Sequence, residues 1–325
     1  MNFYNLNKGD EIRIIAPSRS LKLIGETNTN IAKKALEELG FKVTFGKNVL
    51  NEEKRNSASI EQRVNDLHEA FLDKNVKAIL TVIGGFNSNQ LLPYIDWEII
   101  KNNPKVFSGF SDITILHTAI AAKTHMPTFY GPHFSSFGMI KNSEYIKREF
   151  SKFFLDHSKN IELSSSEYWS DDLWFIDQVN RNIETNEGWW TLQKGQATGV
   201  SFGGNLNTLL LLPGTEYWPE INQDTILVIE DVSTVNYDDF DRMLESLTQS
   251  SWFKYVKGIL IGRFCKNSNI TKDDLNSIIS SKTKLNNMPI IANLDFGHSM
   301  PLSVIPLGMT FNIEANNKTT IKINK

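Results

Sequence analysis

The stretch Val106–Lys123 contains the residue type best suited to nucleophilic chemistry, a serine placed where a predicted strand ends and a predicted helix begins. An apolar segment stops at Gly109, Ser111 follows in the sequence Gly-Phe-Ser-Asp, and a helical pattern resumes after it. On such a turn the serine hydroxyl projects out of the sheet, beside the first N–H groups of the helix. A serine also suits a helix N-cap, so partner residues must decide between nucleophile and cap.

A base for this serine must come from the six histidines, because a serine hydroxyl attacks only when a neighbouring group takes its proton. His298 ends the segment Pro289–His298, where a predicted strand reaches a glycine, so its ring is expected on a loop at a strand end. Without an acidic partner it would instead be a loop histidine bonded to backbone. His133 follows a short predicted strand, and the sequence leaves open whether it is catalytic or structural. The others lie in helical or lysine-rich surface patterns and are predicted to be structural or solvated: His68, His117, His125 and His157.

An acidic partner is predicted at the end of the apolar segment Thr225–Val232, which runs directly into Glu230 and Asp231. A carboxylate at the end of a buried strand costs desolvation energy unless a cation or a hydrogen-bond donor faces it. Either acid could accept a hydrogen bond from His298. The alternative is that one of them, Asp231 above all, caps the helix that begins near Tyr237.

Composition excludes several classes of protein. The chain has 325 residues, a formal net charge of −3 and a single cysteine, Cys265, so it lacks the basic surface of nucleic-acid binders and cannot form an internal disulfide. A signal-peptide pattern and an apolar run of membrane-spanning length are both absent from the sequence. Metal-binding motifs such as H-E-x-x-H or paired cysteines are absent too. We expect a cytoplasmic protein that binds neither nucleic acid nor membrane and uses no metal or cofactor.

Short apolar strands alternate with helical patterns in the first half of the chain, which predicts a parallel sheet flanked by helices. The expected strands are Glu11–Ala16, Lys42–Phe45, Ala78–Ile83 and Lys105–Ser108. The expected helices are Asn28–Leu39, Ile60–Leu72 and Ile113–Lys123. We therefore predict an N-terminal α/β domain at residues 1–160, of the flavodoxin-like or class I glutamine amidotransferase-like type.

Strands predominate after the charged, serine-rich stretch 142–172. The expected strands are Thr198–Phe202, Thr225–Ile229, Gly258–Arg263, Ile290–Leu294, Met309–Glu314 and Thr319–Ile323. The expected helices are Tyr237–Gln249 and Lys272–Ser280. The segment Ala315–Lys318 predicts the turn of a terminal hairpin. Residues 161–325 are therefore predicted to form a smaller, strand-rich α/β domain.

Three features fall at the carboxyl ends of predicted parallel strands: the loop Pro17–Ser20, the pair Gly84-Gly85, and Ser111. Ligands of open α/β sheets bind at that edge, so their convergence predicts a ligand site there. The glycine pair opens no G-x-G-x-x-G pattern, which disfavours a Rossmann-type nucleotide enzyme.

Motifs along nearly the whole chain resemble, in the right order, those of the LD-carboxypeptidase family of serine peptidases. The matching segments are Ile15–Ser18, Ile83–Pro93, Gly109–Asp112, Thr128–Pro132, Gly203–Leu206, Ile229–Asp231, Gly258–Gly262 and Gly297–His298. Each motif is short, but together they are specific. The resemblance implies a homodimeric hydrolase whose active site lies in the groove between its two domains.

By this resemblance, Ser111 is the nucleophile, His298 the general base and Glu230 the residue that orients the base. The backbone N–H groups of Gly85 and Asp112 are expected to form the oxyanion hole. A glycine at position 85 would allow close backbone approach and a positive φ.

Contacts to the substrate are expected from Ser18, Asn87 and Trp190. The last of these belongs to the pair Trp189-Trp190 in the segment 186–190, whose rings could stack on a nucleobase or simply pack at the domain junction. Asn205 is expected to position the interdomain loop or to touch the substrate.

The residues around the glycine pair favour one branch of this family. Murein-recycling members usually carry an arginine before the paired glycines and Tyr-Gly after them, whereas this chain has Ile83 before and Phe86–Asn89 after. That pattern resembles the immunity-peptidase branch, whose members cleave the amide between a carboxy-terminal aspartyl residue and a modified nucleotide, or related aminoacyl-nucleotide toxins. We therefore predict cleavage near the carboxyl end of a small peptide or peptidyl-nucleotide. Murein tetrapeptide cleavage is the alternative, and a catalytically silent peptide- or nucleotide-binding protein is the third possibility.

Overall fold

The computed structural model describes residues 4–316 and 318–325. Its strands are β1 (Glu11–Ile15), β2 (Lys42–Phe45), β3 (Val76–Thr81), β4 (Val106–Gly109), β5 (Thr128–Tyr130), β6 (Asn160–Glu162), β7 (Tyr168–Trp169), β8 (Glu184–Thr185), β9 (Trp190–Gln193), β10 (Gly195–Asn205), β11 (Thr225–Glu230), β12 (Val256–Gly262), β13 (Ile290–Leu294), β14 (Ile305–Leu307), β15 (Thr310–Ala315) and β16 (Thr319–Asn324). Its helices are α1 (Gly25–Glu38), α2 (Ile60–Leu72), α3 (Trp97–Asn102), α4 (Thr114–Thr124), α5 (Glu144–Phe154), α6 (Leu206–Leu209), α7 (Tyr237–Gln249) and α8 (Lys272–Ser280). Every strand and helix expected from the sequence is present, with ends that shift by a few residues at most.

The first sheet has the strand order β14-β5-β4-β3-β1-β2. Strands β2, β1, β3, β4 and β5 are parallel neighbours, and β14 joins β5 antiparallel at the edge. The parallel part follows the order 2-1-3-4-5 of flavodoxin-like folds. The expected parallel sheet flanked by helices is therefore confirmed.

Helix α2 illustrates how the sequence builds the layer that covers this sheet. The Ser59 hydroxyl accepts a hydrogen bond from the Gln62 N–H, and the Gln62 side chain accepts one from the Ser59 N–H, a capping box that starts the helix. Leu67 and Phe71, one turn apart, are fully buried. Because burying such a side chain contributes about 1.5–3 kcal/mol, the apolar face stabilises the helix more than intrinsic propensity does.

The second sheet has the strand order β6-β16-β15-β10-β11-β12-β13-β9. Strands β10 to β13 are parallel, whereas β15, β16, β6 and β9 pair antiparallel on either side of them. The expected strand-rich C-terminal unit is confirmed. Ala315 pairs with Thr319 in the terminal hairpin, and its turn includes residue 317, which lies outside the described residues.

One strand spans the division predicted between residues 160 and 161, and another pairs across it. β14 belongs to the C-terminal half but completes the first sheet, and β6 begins at Asn160 and pairs with β16 in the second. The domain boundary itself therefore stays a prediction. β14 is only three residues long and contains Pro306, so its sequence carries little strand signal.

The two sheets share one apolar cluster, which contains fully buried side chains from both, among them Ile14, Leu80, Val228 and Leu260. Closely packed interiors have low compressibility, so this shared cluster sets the separation between the carboxyl ends of the two sets of parallel strands. In the part of the chain that the structure describes, no helix combines the length and apolarity needed to cross a bilayer.

Candidate active site

Ser111 lies on a sharp turn between β4 and α4. Its φ of +62° is in the left-handed region, which non-glycine residues adopt at a cost and which recurs at active sites. A 3-10 turn, Ser111–Ile113, leads into α4. The serine hydroxyl does not cap the helix, because its hydrogen bond is to His298, with Oγ 3.0 Å from Nε2.

The other nitrogen of His298 faces Glu230. Nδ1 lies 2.8 Å from Glu230 Oε2, and Glu230 is the last, fully buried residue of β11. His298 follows Gly297, which has a φ of +105° and where a Cβ would lie 3.0 Å from the Glu230 Cβ. Glycine at that position therefore lets the histidine loop approach the strand end. The structure brings Ser111, His298 and Glu230 together in the order hydroxyl, imidazole, carboxylate.

Burial and the neighbouring charge act in opposite directions on the pKa of His298. Burial disfavours the imidazolium, but the charge and hydrogen bond of Glu230 outweigh it and raise the pKa of His298 above its ordinary 6.5. Burial likewise disfavours the Glu230 carboxylate, yet His298, Tyr130 and Asn205 together lower the pKa of Glu230. The carboxylate thus stays charged while the imidazole takes up a proton.

Two further side chains hold the second oxygen of Glu230. The Tyr130 hydroxyl donates to Glu230 Oε1 at 2.5 Å, and Asn205 Nδ2 donates to the same atom at 3.1 Å. Tyr130 also accepts a hydrogen bond from the Ser111 N–H at 3.0 Å. The sequence did not indicate a role for Tyr130, although this residue stands within the motif Thr128–Pro132. For Asn205 the sequence left two roles open, positioning of the interdomain loop and contact with the substrate.

The glycine pair lies against the nucleophile turn. A Cβ at Gly84 would lie 2.9 Å from the Ser111 Cβ and 3.5 Å from the Asp112 nitrogen. The Gly85 N–H has no acceptor within residues 4–316 and 318–325, which leaves it available to a developing oxyanion. Gly85 is not in the left-handed region, so the expected positive φ is wrong. Glycine is needed there because a Cβ would collide with the Ser18 hydroxyl.

Ser18 and Asn87 lie behind this turn and are buried. The Ser18 hydroxyl donates to Asp112 Oδ2 at 2.6 Å, and the backbone N–H groups of Asn87 and Ser88 each donate to the same oxygen at 3.0 Å. The Asp112 side chain therefore ties the loops after β1 and β3 to the serine turn. Because the Ser18 hydroxyl is buried and already bonded, the geometry gives it a supporting role in place of the expected substrate contact.

A cavity of about 300 Å³ opens beside Ser111 and His298. Its lining includes four aromatic rings: Phe86, Phe110, Trp174 and Phe175. Trp190 does not line it. That side chain lies on β9, donates from Nε1 to Glu187 Oε1 at 2.8 Å, and lines a separate cavity of about 620 Å³. Pairing of β9 with β13 holds Trp190 there, so aromatic contacts at the candidate active site must come from the other rings.

The remaining polar candidates support the site without joining it. His133 is buried and stacks on Phe110 with ring centroids 4.0 Å apart, and burial lowers the pKa of His133 to about 3. His117 Nε2 lies 2.9 Å from the Gly109 carbonyl oxygen, and burial lowers the pKa of His117 to about 4. Both rings therefore stay neutral and shape the wall around the turn.

Asp231 does not cap α7. The N-cap of that helix is Asn236, whose side chain accepts a hydrogen bond from the Asp239 N–H. Asp231 instead accepts hydrogen bonds from the Val232 and Asn207 N–H groups at 2.8 and 3.1 Å. Burial, together with the charge of Glu230, raises the pKa of Asp231 to about 7. Of the two acids that end β11, Glu230 is the one that reaches His298.

A serine, a histidine and a buried carboxylate in a hydrogen-bonded line are the machinery of hydrolases that use a serine nucleophile. Here the line runs from one sheet to the other at the carboxyl ends of the parallel strands, where α/β folds bind ligands. Across the described residues, no cluster of three or more His, Cys, Asp or Glu side chains is arranged to hold a metal ion.

Comparison with known proteins agrees with this class. Residues 12–131 match the LD-carboxypeptidase N-terminal domain, and residues 198–313 match the LD-carboxypeptidase C-terminal domain. The chain belongs to the LD-carboxypeptidase family of serine peptidases, and the resemblance inferred from its motifs is confirmed.

Individual relatives cover nearly the whole chain. A putative carboxypeptidase of Treponema pallidum is 48% identical over 96% of this chain and 92% of the relative. The microcin C7 self-immunity protein MccF of Escherichia coli is 30% identical over 95% of this chain and 92% of the relative. The crystal structure of an MccF-like protein from Bacillus anthracis superimposes with a TM-score of 0.96 at 48% identity, covering 99% of this chain and 98% of that one.

Proposed function

We propose that this peptidase cleaves an amide near the carboxyl end of a small peptide or aminoacyl-nucleotide, with Ser111, His298 and Glu230 as its catalytic triad. The observation that carries the proposal is the continuous line of hydrogen bonds from Ser111 Oγ through His298 to Glu230, at 3.0 and 2.8 Å. Each distance lies within the range needed for proton transfer between a nucleophile and its base.

In the first half of the reaction, His298 Nε2 takes the proton of the Ser111 hydroxyl as Oγ bonds to the substrate carbonyl carbon. The carbonyl oxygen becomes an oxyanion, which the N–H groups of Gly85 and Asp112 stabilise by hydrogen bonds. The protonated His298 then gives its proton to the leaving amine nitrogen, and the C–N bond breaks to leave an acyl-serine. Throughout, the buried Glu230 carboxylate stabilises the imidazolium.

In the second half, water replaces the leaving group. His298 takes a proton from the water while the water oxygen bonds to the acyl carbon. The bond between that carbon and Ser111 Oγ then breaks, and His298 returns the proton to Oγ. The carboxylic acid product leaves and the triad is restored. The Ser111 N–H takes no part as an oxyanion donor, because it donates to Tyr130.

An aminoacyl-nucleotide is the substrate class that we favour. The relative MccF has been solved in complex with aspartyl sulfamoyl adenosine, and that structure superimposes with a TM-score of 0.87 at 28% identity. The aromatic lining of the catalytic cavity supports the same class, since it includes the exposed rings of Phe86 and Phe175, and aromatic rings are groups on which a nucleobase can stack. Ile83 at the position before the glycine pair supports it as well.

A murein tetrapeptide is the alternative substrate. The murein tetrapeptide carboxypeptidase of Pseudomonas aeruginosa is 25% identical over 94% of this chain, and that activity would release a terminal D-alanine.

A catalytically silent binding protein is the remaining alternative. The presence of all three triad side chains in bonding geometry counts against it.

Mass spectrometry of products from two substrates tests the proposal. The wild-type chain is incubated separately with an aspartyl-nucleotide conjugate joined by a hydrolysable amide and with a murein tetrapeptide. Cleavage of the conjugate alone supports the aminoacyl-nucleotide activity, whereas release of D-alanine alone supports the murein activity. Cleavage of neither, with measurable binding of either, would favour the silent binding protein.

We also propose that the protein is a cytoplasmic homodimer. Light scattering at several concentrations would check the oligomeric state, and cell fractionation would check the location.

A further inference from the structure

A second cavity of about 340 Å³ adjoins the catalytic one and is lined by Arg19, Arg55, Asn56, Phe86 and Asn87. We call it the arginine cavity. Arg19 and Phe86 line both cavities, so they form a common wall. We propose that the arginine cavity binds an oxyanion carried by the substrate, a carboxylate or a phosphate. The inference rests on the proposed function, because it assigns part of the same substrate.

Within its own lining the charge of the arginine cavity is uncompensated, although Asp171 and Asp172 line the catalytic cavity that shares Arg19. The lining of the arginine cavity contains two arginines and no acidic residue. Within residues 4–316 and 318–325, neither guanidinium has a carboxylate partner or a hydrogen-bond acceptor, and the buried Arg19 Nε is itself unpartnered. The nearby Glu52 pairs with Lys22 at 3.6 Å and does not line the cavity. The terminal nitrogens of both guanidinium groups likewise lack acceptors within the described residues, and such donors form strong hydrogen bonds to an oxyanion.

The Arg19 guanidinium is held in a defined place. Its central carbon lies 5.0 Å from the centroid of the Phe86 ring, a cation–π contact. The ring itself is 80% exposed, so it is accessible to a ligand in either cavity. A planar guanidinium presents paired N–H donors that match the two oxygens of a carboxylate or phosphate. Arg19 is therefore preorganised for such a group.

The opposite wall of the cavity is equally well supported. The Asn56 carbonyl oxygen accepts a hydrogen bond from the Ser20 N–H at 2.7 Å. Asn87 Nδ2 donates to Ser57 Oγ at 3.1 Å. Arg55, with a left-handed φ of +68°, directly precedes these two attachments, so the loop that carries it is tied to the loops after both β1 and β3.

The position of Arg19 relates the cavity to the reacting bond. A Cβ at Gly85 would lie 3.0 Å from the Arg19 Cγ, so the arginine stem packs against the residue whose N–H is the proposed oxyanion donor. Both candidate substrates carry a second anionic or phosphate-like group close to the scissile amide. In an aminoacyl-nucleotide it is the phosphate, and in a murein tetrapeptide it is the terminal carboxylate.

The test measures binding in the full chain carrying Ser111→Ala, so that no turnover intervenes. Calorimetry compares AMP with adenosine, and a murein tetrapeptide with the same peptide ending in an amide. Arg19→Gln and Arg55→Gln are then added singly to this parent. Lys54→Gln is the matched control, because it removes an adjacent positive charge that does not line the cavity.

We expect the parent to bind the charged member of one pair roughly 10- to 100-fold more tightly, the range for hydrogen bonds to a charged group. Each arginine variant should abolish most of that preference, and Lys54→Gln should keep it. The pair that shows the preference identifies the oxyanion as phosphate or carboxylate. Equal binding within both pairs, no binding of any probe, or a preference that both arginine variants retain would overturn the proposal.

Wild-type turnover of the aspartyl-nucleotide conjugate and of the tetrapeptide is measured in parallel. An arginine-dependent preference without turnover would count against the proposed function and leave the arginine cavity standing. Turnover without an arginine-dependent preference would do the reverse. The two failures are therefore distinguishable.

Discussion

The Tyr130 hydroxyl lies 2.5 Å from Glu230 Oε1 and is its buried donor. The Tyr130 hydroxyl oxygen also accepts a hydrogen bond from the Ser111 N–H at 3.0 Å, so one side chain bonds to both ends of the candidate triad. Burial and the neighbouring Glu230 charge raise the pKa of Tyr130 well above 10, and the hydroxyl therefore remains a donor at every working pH. Tyr130 is a positioning residue: it fixes the left-handed serine and the carboxylate relative to each other.

Tyr130→Phe should keep the packing of the ring and lose both hydrogen bonds. We expect kcat/KM to fall roughly 10- to 100-fold, the range for a bond to a buried charge. The acid limb of the pH profile should also move to higher pH, because a carboxylate that shares less of its charge with Tyr130 stabilises the His298 imidazolium more. Tyr145→Phe, which loses a buried hydroxyl bonded to the Ser164 carbonyl oxygen, is the control. An unchanged profile in Tyr130→Phe would contradict the positioning role.

The wild-type pH profile should reveal the raised pKa of His298. Only the neutral imidazole can take the serine proton, so kcat/KM should be high above that pKa and fall as the pH decreases through it. Because the pKa of His298 is raised, this fall should be centred above pH 6.5. A profile centred clearly below 6.5 would contradict the effect that we assign to Glu230.

Glu230→Gln should shift the same limb in the opposite direction. The amide keeps the shape of the side chain and removes the charge that favours the imidazolium, so the pKa of His298 should drop and the limb should move to lower pH. Maximal activity should fall as well, because the imidazolium formed during reaction loses its partner. Glu187→Gln, at an exposed glutamate bonded to Trp190, should leave the profile unchanged. Movement of the limb to higher pH would be inconsistent with this pairing.

Gly85→Ala should lower kcat by about 10²- to 10³-fold, the cost of losing one oxyanion donor. The added Cβ would collide with the Ser18 hydroxyl and push the loop away from Ser111. In the double variant Ser18→Ala, Gly85→Ala the hydroxyl is gone, and part of the activity lost in Gly85→Ala should return. Full activity in the single variant would show that the Gly85 N–H is not needed.

Asp112→Asn should weaken the attachment of the glycine loop. The charged oxygen that accepts bonds from Ser18, Asn87 and Ser88 would be lost, and the free energy of unfolding should decrease by about 1–3 kcal/mol. The kcat should fall while KM changes less, because the loop carries an oxyanion donor. Asp274→Asn, at the start of α8, is a matched control in stability measurements and should keep kcat. Equal losses of kcat in both variants would argue against a specific role for Asp112.

Local sequence patterns predicted the elements that position this site. Apolar periodicity and the breaks at Gly109 and Gly297 were sufficient to place Ser111 and His298 at strand ends, since strand and helix signals are local. β14 was missed because three residues including Pro306 carry almost no strand signal and its pairing with β5 depends on the tertiary fold.

The roles of individual side chains depended on contacts distant in sequence. Ser18 is a buried bond partner of Asp112, 94 residues away, which no local pattern indicates. Trp190 has the right chemistry for stacking, but antiparallel pairing of β9 directs it to another cavity. The role of Tyr130 was not predicted either, because its partners are distant in sequence: Ser111 follows a strand of the first sheet, and Glu230 ends a strand of the second.

The most direct test of the central claim is the turnover of the better substrate by Ser111→Ala and by Ser135→Ala, a second serine that lines the catalytic cavity. Both variants lose one hydroxyl at the same site, and circular dichroism confirms that each is folded. We predict that Ser111→Ala loses roughly 10⁴-fold or more in kcat, while Ser135→Ala stays within a few-fold of wild type. Activity of Ser111→Ala comparable to wild type would contradict a mechanism in which Ser111 attacks the substrate.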